Sequence, residues 1–439
     1  MNKINMTILS KAVSLVVCLM CILSLAGCAG KQETEEGTDT ADQAVIAAED
    51  TESDTQETEY DTSEQFEAQV LTDGQFITGG TYTAEGEDES VLEASGNVTA
   101  TVTGAVINKV SGGATSADDS SFKGVNSAVR VYGNAEVTLK DCTITADADN
   151  ATGVFAYEDG VVYISDCTID VTGGGAGGVQ VAGGGTLIGT DLTVTSASKA
   201  AIRSDRGGGI LTIDGGTYTS TGSNGCPAIY STAAITVKNA VCVSENSRAV
   251  IIEGKNSVTL ENCTLTGNDQ STKEGSVKAN VLLYQSASGD ASVGTSVFSM
   301  TGGSMTSLSG AMFYCTNTAS EIYLNSAELI LSDEETLLIV SEGRWGKDGS
   351  NGGDCTLTAE YQQLYGDIIV DDISSLELIL TASNFTGAIQ GDGTVEVTMD
   401  AESSWTLTAD SYVTSIDGDL TGLDLNGYTL YVNGKAYSA

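Results

Sequence analysis

The chain has no histidine, a single proline at Pro227, only 2 tryptophans and 7 phenylalanines in 439 residues, and 18 basic side chains against 60 acidic ones. Without histidine, every mechanism that needs an imidazole base or ligand is excluded. The formal net charge of −42 repels nucleic acid and anionic lipid head groups, so neither is expected as a partner. No Cys-x-x-Cys spacing occurs beyond residue 28, which leaves a zinc site without support. Helical apolar periodicity is missing as well. With one proline and no convincing amphipathic helix, nothing argues for a second fold class.

What is present is repetition. Between Ala128 and Thr266 the lines AVRVYGNAEVTLKDCTIT, GVFAYEDGVVYISDCTID, GVQVAGGGTLIGTDLTVT, AIRSDRGGGILTIDGGTYT, AIYSTAAITVKNAVCVS and AVIIEGKNSVTLENCTLT follow one another. Their second strands start at Val137, Val162, Leu187, Leu211, Ile235 and Val258, and the series resumes at Phe298 and Ile322, in steps of 25, 25, 24, 24, 23, 40 and 24 residues. Strand-forming repeats of this length describe a solenoid, because one unit cannot bury its apolar face without neighbours above and below. In VTLKDCTIT the alternation slips once between Leu139 and Cys142, which marks a sharp bend between two strands. The bend residues are Asp141, Asp166, Asp191, Gly215, Asn239, Asn262, Gly302 and Ser326. All but the serine are of the types that tolerate a left-handed backbone.

A single-residue left-handed corner between consecutive short strands resembles the pectate-lyase-like right-handed parallel β-helix, over roughly residues 91–434. The expected fold is therefore all-β, a right-handed parallel β-helix of about a dozen rungs of roughly 24 residues. Lines such as DRGGG, GTYTSTG, PAIYST and IEGKNSVTL are also similar to those of uncharacterised bacterial surface proteins, from which no activity carries over. Interior ladders are expected from Val129, Val154, Val179, Ile202, Ile229 and Val250, with Cys142, Cys167 and Cys263 as small apolar fillers. After Ile322 the rungs 366–439 still alternate but lack the corner residue types, and they are expected to close the coil.

The N-terminal region reads differently. Lys3 and Lys11 precede an apolar core from Ala12 to Leu25, and Leu25-Ala26-Gly27-Cys28 resembles the bacterial lipoprotein cleavage box. That resemblance implies a signal over residues 1–27, removed by cleavage, and a lipid on the Cys28 thiol, so the protein is expected to be extracytoplasmic and membrane-anchored. Residues 31–68 carry fourteen acids against Lys31 alone, so residues 28–68 are expected to be a disordered spacer ahead of a body from 69 to 365.

Function must come from the side chains that alternate outward. In the first strand of each line these are Arg130, Phe155, Gln180, Arg203, Tyr230 and Ile251, with a companion file Tyr132, Tyr157, Ala182, Asp205, Thr232 and Glu253. A straight, mixed file of rings, guanidinium groups and carboxylates suits polysaccharide or another cell-surface glycan, with sugar faces on Tyr132, Phe155, Tyr157 and Tyr230 and hydroxyls or uronates on Arg130, Gln180, Arg203 and Asp205. Aromatic and long polar residues also simply favour strands. After the corner a second file of threonines, including Thr143, Thr168, Thr193, Thr217 and Thr264, resembles the ice-contacting face of some β-solenoids, although Asp170, Val241 and Val243 interrupt it.

Lyases of the resembled fold use calcium on acidic side chains with an Arg or Lys base, and its hydrolases use paired carboxylates. The nearest match is Arg203-Ser204-Asp205-Arg206, which lacks both the proline-flanked arginine and the histidine of those enzymes. A surface ion-pair cluster is the simpler reading of it. The sequence thus points to a non-enzymatic, lipid-anchored surface protein that binds carbohydrate or acts as an adhesin. A calcium-dependent polysaccharide lyase or glycoside hydrolase and a self-associating stalk are the alternatives. Calcium at Asp118, Asp119, Asp348 and Asp354 stays open, although no twelve-residue loop has the usual ligand spacing. No other cofactor is implied.

Overall fold

The computed structural model describes residues 59–438 apart from 224, 274 and 334, so the signal, the Cys28 box and most of the acidic spacer lie outside the described residues. Each line of the repeat becomes three short strands. In one such rung they are Val129–Tyr132, Glu136–Lys140 and Thr143–Ala146. Alternate side chains point inward: Val129, Val131, Val137, Leu139 and Ile144 are buried, whereas Glu136, Lys140 and Thr143 are exposed. One rung later Val154, Val162 and Ile169 take the same inward places.

Strands of successive rungs stack in parallel into a first sheet of 13 strands, a second of 14 and a third of 11, and consecutive strands of the chain always fall in different sheets over this region. Parallel strands joined in this way wind right-handed, so the body is a right-handed parallel β-helix. Register is maintained across the repeat: Val129, Val154, Val179, Ile202, Ile229 and Val250 are successive partners, and all are fully buried. Each contributes about 1.5–3 kcal/mol by leaving water. The seven cysteines among the described residues are free and buried, and the Cys142 and Cys167 thiols donate to the carbonyls of Lys140 and Ser165 at 3.2 and 3.1 Å.

The corner between the second and third sheets is the most regular feature. All eight expected corner residues have positive φ, from 50° at Asp191 to 76° at Gly215. Their backbone N–H groups form a file: Asp166 donates to Thr190 O at 3.1 Å, Asn239 to Glu261 O at 2.9 Å and Asn262 to Thr301 O at 2.9 Å. Contrary to the expectation that the closing rungs lose the corner, Tyr361 (φ 50°) and Ala382 (φ 45°) keep it. The Tyr361 N–H donates to Thr381 O at 3.0 Å, and the Ala382 N–H is received by the Asp400 carboxylate at 3.0 and 3.1 Å, in place of a carbonyl from a further rung. The ladders on either side impose a conformation that costs such residues about 1–2 kcal/mol.

The ends of the coil also differ from expectation. Gln65–Glu67, assigned to the spacer by its composition, is the first strand of the third sheet and pairs with Thr81–Thr83. Phe66 stacks on Tyr82 at 4.8 Å, Ala68 packs on the core, and Tyr60 lays its ring against Gly104 and donates its hydroxyl to Asp141 at 2.7 Å, so the end of the acidic segment has the contacts its composition did not promise. At the boundary expected at residue 366 the winding does not stop, since Asp367–Val370 continues the first sheet. It is the third sheet that ends, at Glu328–Ile330. The Gln362 amide bridges the break, donating to Ala327 O at 2.6 Å and accepting from Ala327 N at 2.9 Å. A four-stranded sheet then begins at Gln363–Tyr365, with Trp405 buried against Phe385. An antiparallel pair, Leu430–Val432 with Lys435–Ala436, blunts the final edge.

Replacing Ala382 by Gly relieves a left-handed alanine and is expected to stabilise the body by about 1 kcal/mol, less the entropy glycine gains in the unfolded chain. Asp166→Val places a branched side chain at the same kind of corner and is expected to destabilise by a similar or larger amount. Urea midpoints that move in the same direction for both variants would show that the corner does not carry this strain.

Candidate functional site

The outward file of the first sheet lies in register as expected: Arg130 pairs with Phe155, Phe155 with Gln180, Gln180 with Arg203, Arg203 with Tyr230 and Tyr230 with Ile251. It is not an open surface. The loop between Ser111 and Asn126 folds back over it and contains helix α1, Ala117–Lys123. Ser116 accepts from Asp119 N at 3.1 Å as N-cap, and Gly124 ends the helix at φ 70°. This helix was not anticipated from apolar periodicity, because it is too short to show one; its two caps were the available signal.

The loop is fastened by the very residues proposed to meet ligand. Gln180 donates to Ser121 O at 2.9 Å, Arg130 to Lys123 O at 2.9 Å, and Lys199 Nζ to Ser121 Oγ at 2.5 Å. Phe155 is fully buried, with its ring so close beneath Gly124 that no side chain could stand there. Phe155 does leave the coil on its outer side, but the loop covers it. As surface contact residues, Phe155 and Gln180 are therefore withdrawn: their role is to hold the loop. Arg130 is paired with Glu93 at 3.2 Å and lies over the Tyr132 ring at 4.2 Å, and the Tyr132 hydroxyl donates to Glu93 at 3.1 Å. Tyr157 remains half-buried, with its ring against the bare backbone of Gly183.

Further along the face, the weak catalytic candidates are engaged with one another. Arg203 directs Nε and Nη2 to one oxygen of buried Asp205, at 2.9 and 2.8 Å, and its guanidinium lies 4.4 Å from the Tyr230 ring centroid. Arg206 turns away. It covers the Phe122 ring of the loop at 4.1 Å and pairs with Asp290 at 2.6 Å, so it ties two excursions together. Glu253 is buried and accepts from Tyr230 at 2.6 Å, from Tyr284 at 2.9 Å and from Ser286. Burial first, and then this carboxylate among other neighbours, pushes the Tyr230 and Tyr284 hydroxyls well above the usual phenol range. The cluster is a set of satisfied ion pairs and hydrogen bonds. Among the described residues no three acidic or thiol side chains converge on a metal position. Asp119 is paired with Lys123 at 2.7 Å, and Asp354 accepts from Ser375 at 2.6 Å.

Beyond Tyr230 further excursions cross the first face. The one at Asp269–Lys278, which lies within the 40-residue step in the repeat, is anchored by a buried pair, Arg248 with Asp269 at 3.1 Å. A second excursion crosses from residue 341 to 353 and lays Trp345 on Tyr284, with ring centroids 4.5 Å apart. Between them is a cleft of about 100 Å³ lined by Tyr230, Tyr284, Trp345, Arg248, Lys273 and Arg344, among others. Of these only Tyr230 was singled out from the sequence. The other residues come from three separate segments, and no spacing within one repeat could have joined them. Wider troughs, of about 610 and 500 Å³, share Tyr365 at the break in the third sheet, but no Lys or Arg lines either.

The winding, the register and the corner file agree with a comparison of sequence families: residues 103–328 match the model described as the right-handed β-helix region. The chain belongs to the right-handed β-helix family. Among curated proteins no match to the chain was found. Membership establishes the coil, and no function follows from it.

Lys199 beneath the loop gives a pH test. Burial, with Arg203 beside it, pushes its ammonium group down to about 8. The folded state therefore holds fewer protons than the unfolded state above that pH, and stability rises with pH between about 8 and the usual lysine value of about 10.4. Wild type is expected to gain stability relative to Lys199→Met as pH is raised from 8 to 10 in urea unfolding. A constant difference across that range would show that Lys199 is not buried by the loop.

Proposed function

We propose that the protein is a lipid-anchored surface β-helix that binds carbohydrate without cleaving it, and that contact is made at the cleft bounded by Tyr230, Tyr284 and Trp345. The observation that carries this reading is the pairing of ring faces with hydrogen-bonding side chains in a cleft left between two excursions over the first face. Sugar rings present C–H faces to aromatic rings and hydroxyls to polar groups, and this lining offers both. The carboxylates bonded to residues of the cleft, Glu253 and Asp269, and Asp205 beside them on the face are buried and already engaged, so binding uses the face as it stands, whereas bond cleavage would require them to be freed. The lipoprotein box at Cys28 supports display on the outer side of a bacterial membrane, with the acidic segment as tether.

On a glycan array probed with protein beginning after Cys28, Trp345→Ala is expected to lower binding on the order of tenfold, about 1.4 kcal/mol. Tyr163→Ala, which removes an exposed ring on the second sheet, should leave binding unchanged. Equal binding by wild type and Trp345→Ala, with unchanged circular dichroism, would remove the cleft from consideration.

A further inference from the structure

We infer that the cleft receives the negatively charged substituent of an acidic sugar, a carboxylate or a sulfate ester; this rests on the carbohydrate reading above and specifies its ligand. The first argument is charge. In a chain with 60 acidic and 18 basic side chains, the charged residues lining the cleft are Arg248, Lys273 and Arg344, and no described carboxylate lines it. All five arginines of the sequence lie on the first face or on the excursions that cover it: Arg130 and Arg203 on its strands, Arg206 over Phe122, Arg248 at the cleft and Arg344 in the covering loop. Arg248 has one carboxylate partner, Asp269, whereas Lys273 and Arg344 have none among the described residues; in a body this acidic, two cations set beside Arg248 without a carboxylate indicate that something else supplies the charge.

The second argument is an unmade hydrogen bond. Arg248 is 5 % exposed; one of its terminal nitrogens donates to Val277 O at 2.6 Å and Ser276 Oγ at 3.2 Å and pairs with Asp269 at 3.1 Å. Its Nε is buried with no acceptor. Burial first, opposed by Asp269 and assisted by Arg344, pushes the guanidinium below the ordinary arginine range, so a further positive charge already bears on it. Arg344 sits over the Trp345 ring at 4.5 Å, and among the described residues neither it nor Lys273 takes part in an ion pair. An acceptor with two or three oxygens would complete this set, as a planar carboxylate or a sulfate does at arginine.

The third argument is size. A cleft of about 100 Å³ holds a charged group and its first carbon, not a whole sugar ring. The ring would then rest at the mouth, against Trp345, with the substituent inward. Such a site selects the sugar by its charge and the polymer by what the ring carries on either side.

Trp345 is itself the reporter, because the only other tryptophan, Trp405, is buried in the closing rungs. Protein beginning after Cys28 is titrated with glucuronate, galacturonate, a sulfated monosaccharide, inorganic sulfate and glucose while tryptophan fluorescence is followed, and the same protein is probed on an array of neutral, carboxylated and sulfated glycans. A saturable change with at least one acidic sugar, none with glucose over the same range, and at least fivefold weakening in both Arg344→Gln and Lys273→Gln is expected. These two residues are chosen because both side chains are exposed and hold no part of the fold, whereas loss of Arg248 would leave Asp269 buried alone. A response to uronates only, or to sulfate esters only, supports the inference and names the source. Binding of neutral glycans as strongly as acidic ones, undiminished in Arg344→Gln, overturns it while leaving the carbohydrate reading in place. A response to inorganic sulfate with none to any acidic sugar overturns it as well. A silent array together with silent titrations overturns both readings.

Discussion

One backbone hydrogen bond, repeated, holds the architecture in place. At the turns between the second and third sheets one residue, or a pair of glycines, enters the left-handed region, and from Asp141 to Gly302 the first of these passes its N–H to the next rung. This bond fixes both the bend and the stacking, and it forces the slip of one place in the apolar alternation. Once that is set, every inward position lies over another inward position, and like packs on like. The Asp400 carboxylate, which receives the Ala382 N–H, shows that a side chain of the next rung can take the place of the carbonyl in this file.

A regular coil leaves its outer faces straight, and straight faces are ready to pair or to bind. The second and third sheets keep theirs largely open. The first does not, because the chain departs from the coil there repeatedly and returns over its own strands. The arginines bind these departures to the body: Arg130 to the backbone of α1, Arg206 to both Phe122 and Asp290, and Arg248 to Asp269. In a body so rich in carboxylates, a planar cation that can pair and stack at once is suited to this task. Beside Trp345, Arg344 and Lys273 stand outside every ion pair formed among the described residues.

The same residue types therefore serve two purposes on one face. Arg203 with Asp205, and Tyr230 with Glu253, form satisfied pairs of the kind a stable fold needs, although their composition matches that of an active site. Asking which partners are already taken separates the two uses. By that criterion the closed pairs are structural, and the places left for the proposed ligand are Lys273, Arg344 and the unfilled Nε of Arg248.

The sequence alone determined the winding. Asp, Asn or Gly at intervals of about 24 residues and the slipped alternation identify the corner, the three strands and the inward valines, because these are local properties of backbone and period. It misjudged positions where local preference was overruled from outside. Tyr361 and Ala382 are held left-handed by ladders on both sides, and Gln65–Glu67 is drawn into the coil by the stack of Phe66 on Tyr82 and by the flanking contacts of Tyr60 and Ala68. Only the tertiary structure decided which outward residues are exposed. Phe155 alternates outward as surely as Tyr230 does, yet a loop that begins 44 residues earlier buries it, and Trp345 joins Tyr284 across 61 residues. Burial by a returning loop depends on contacts between distant segments, and no periodicity within one repeat encodes them.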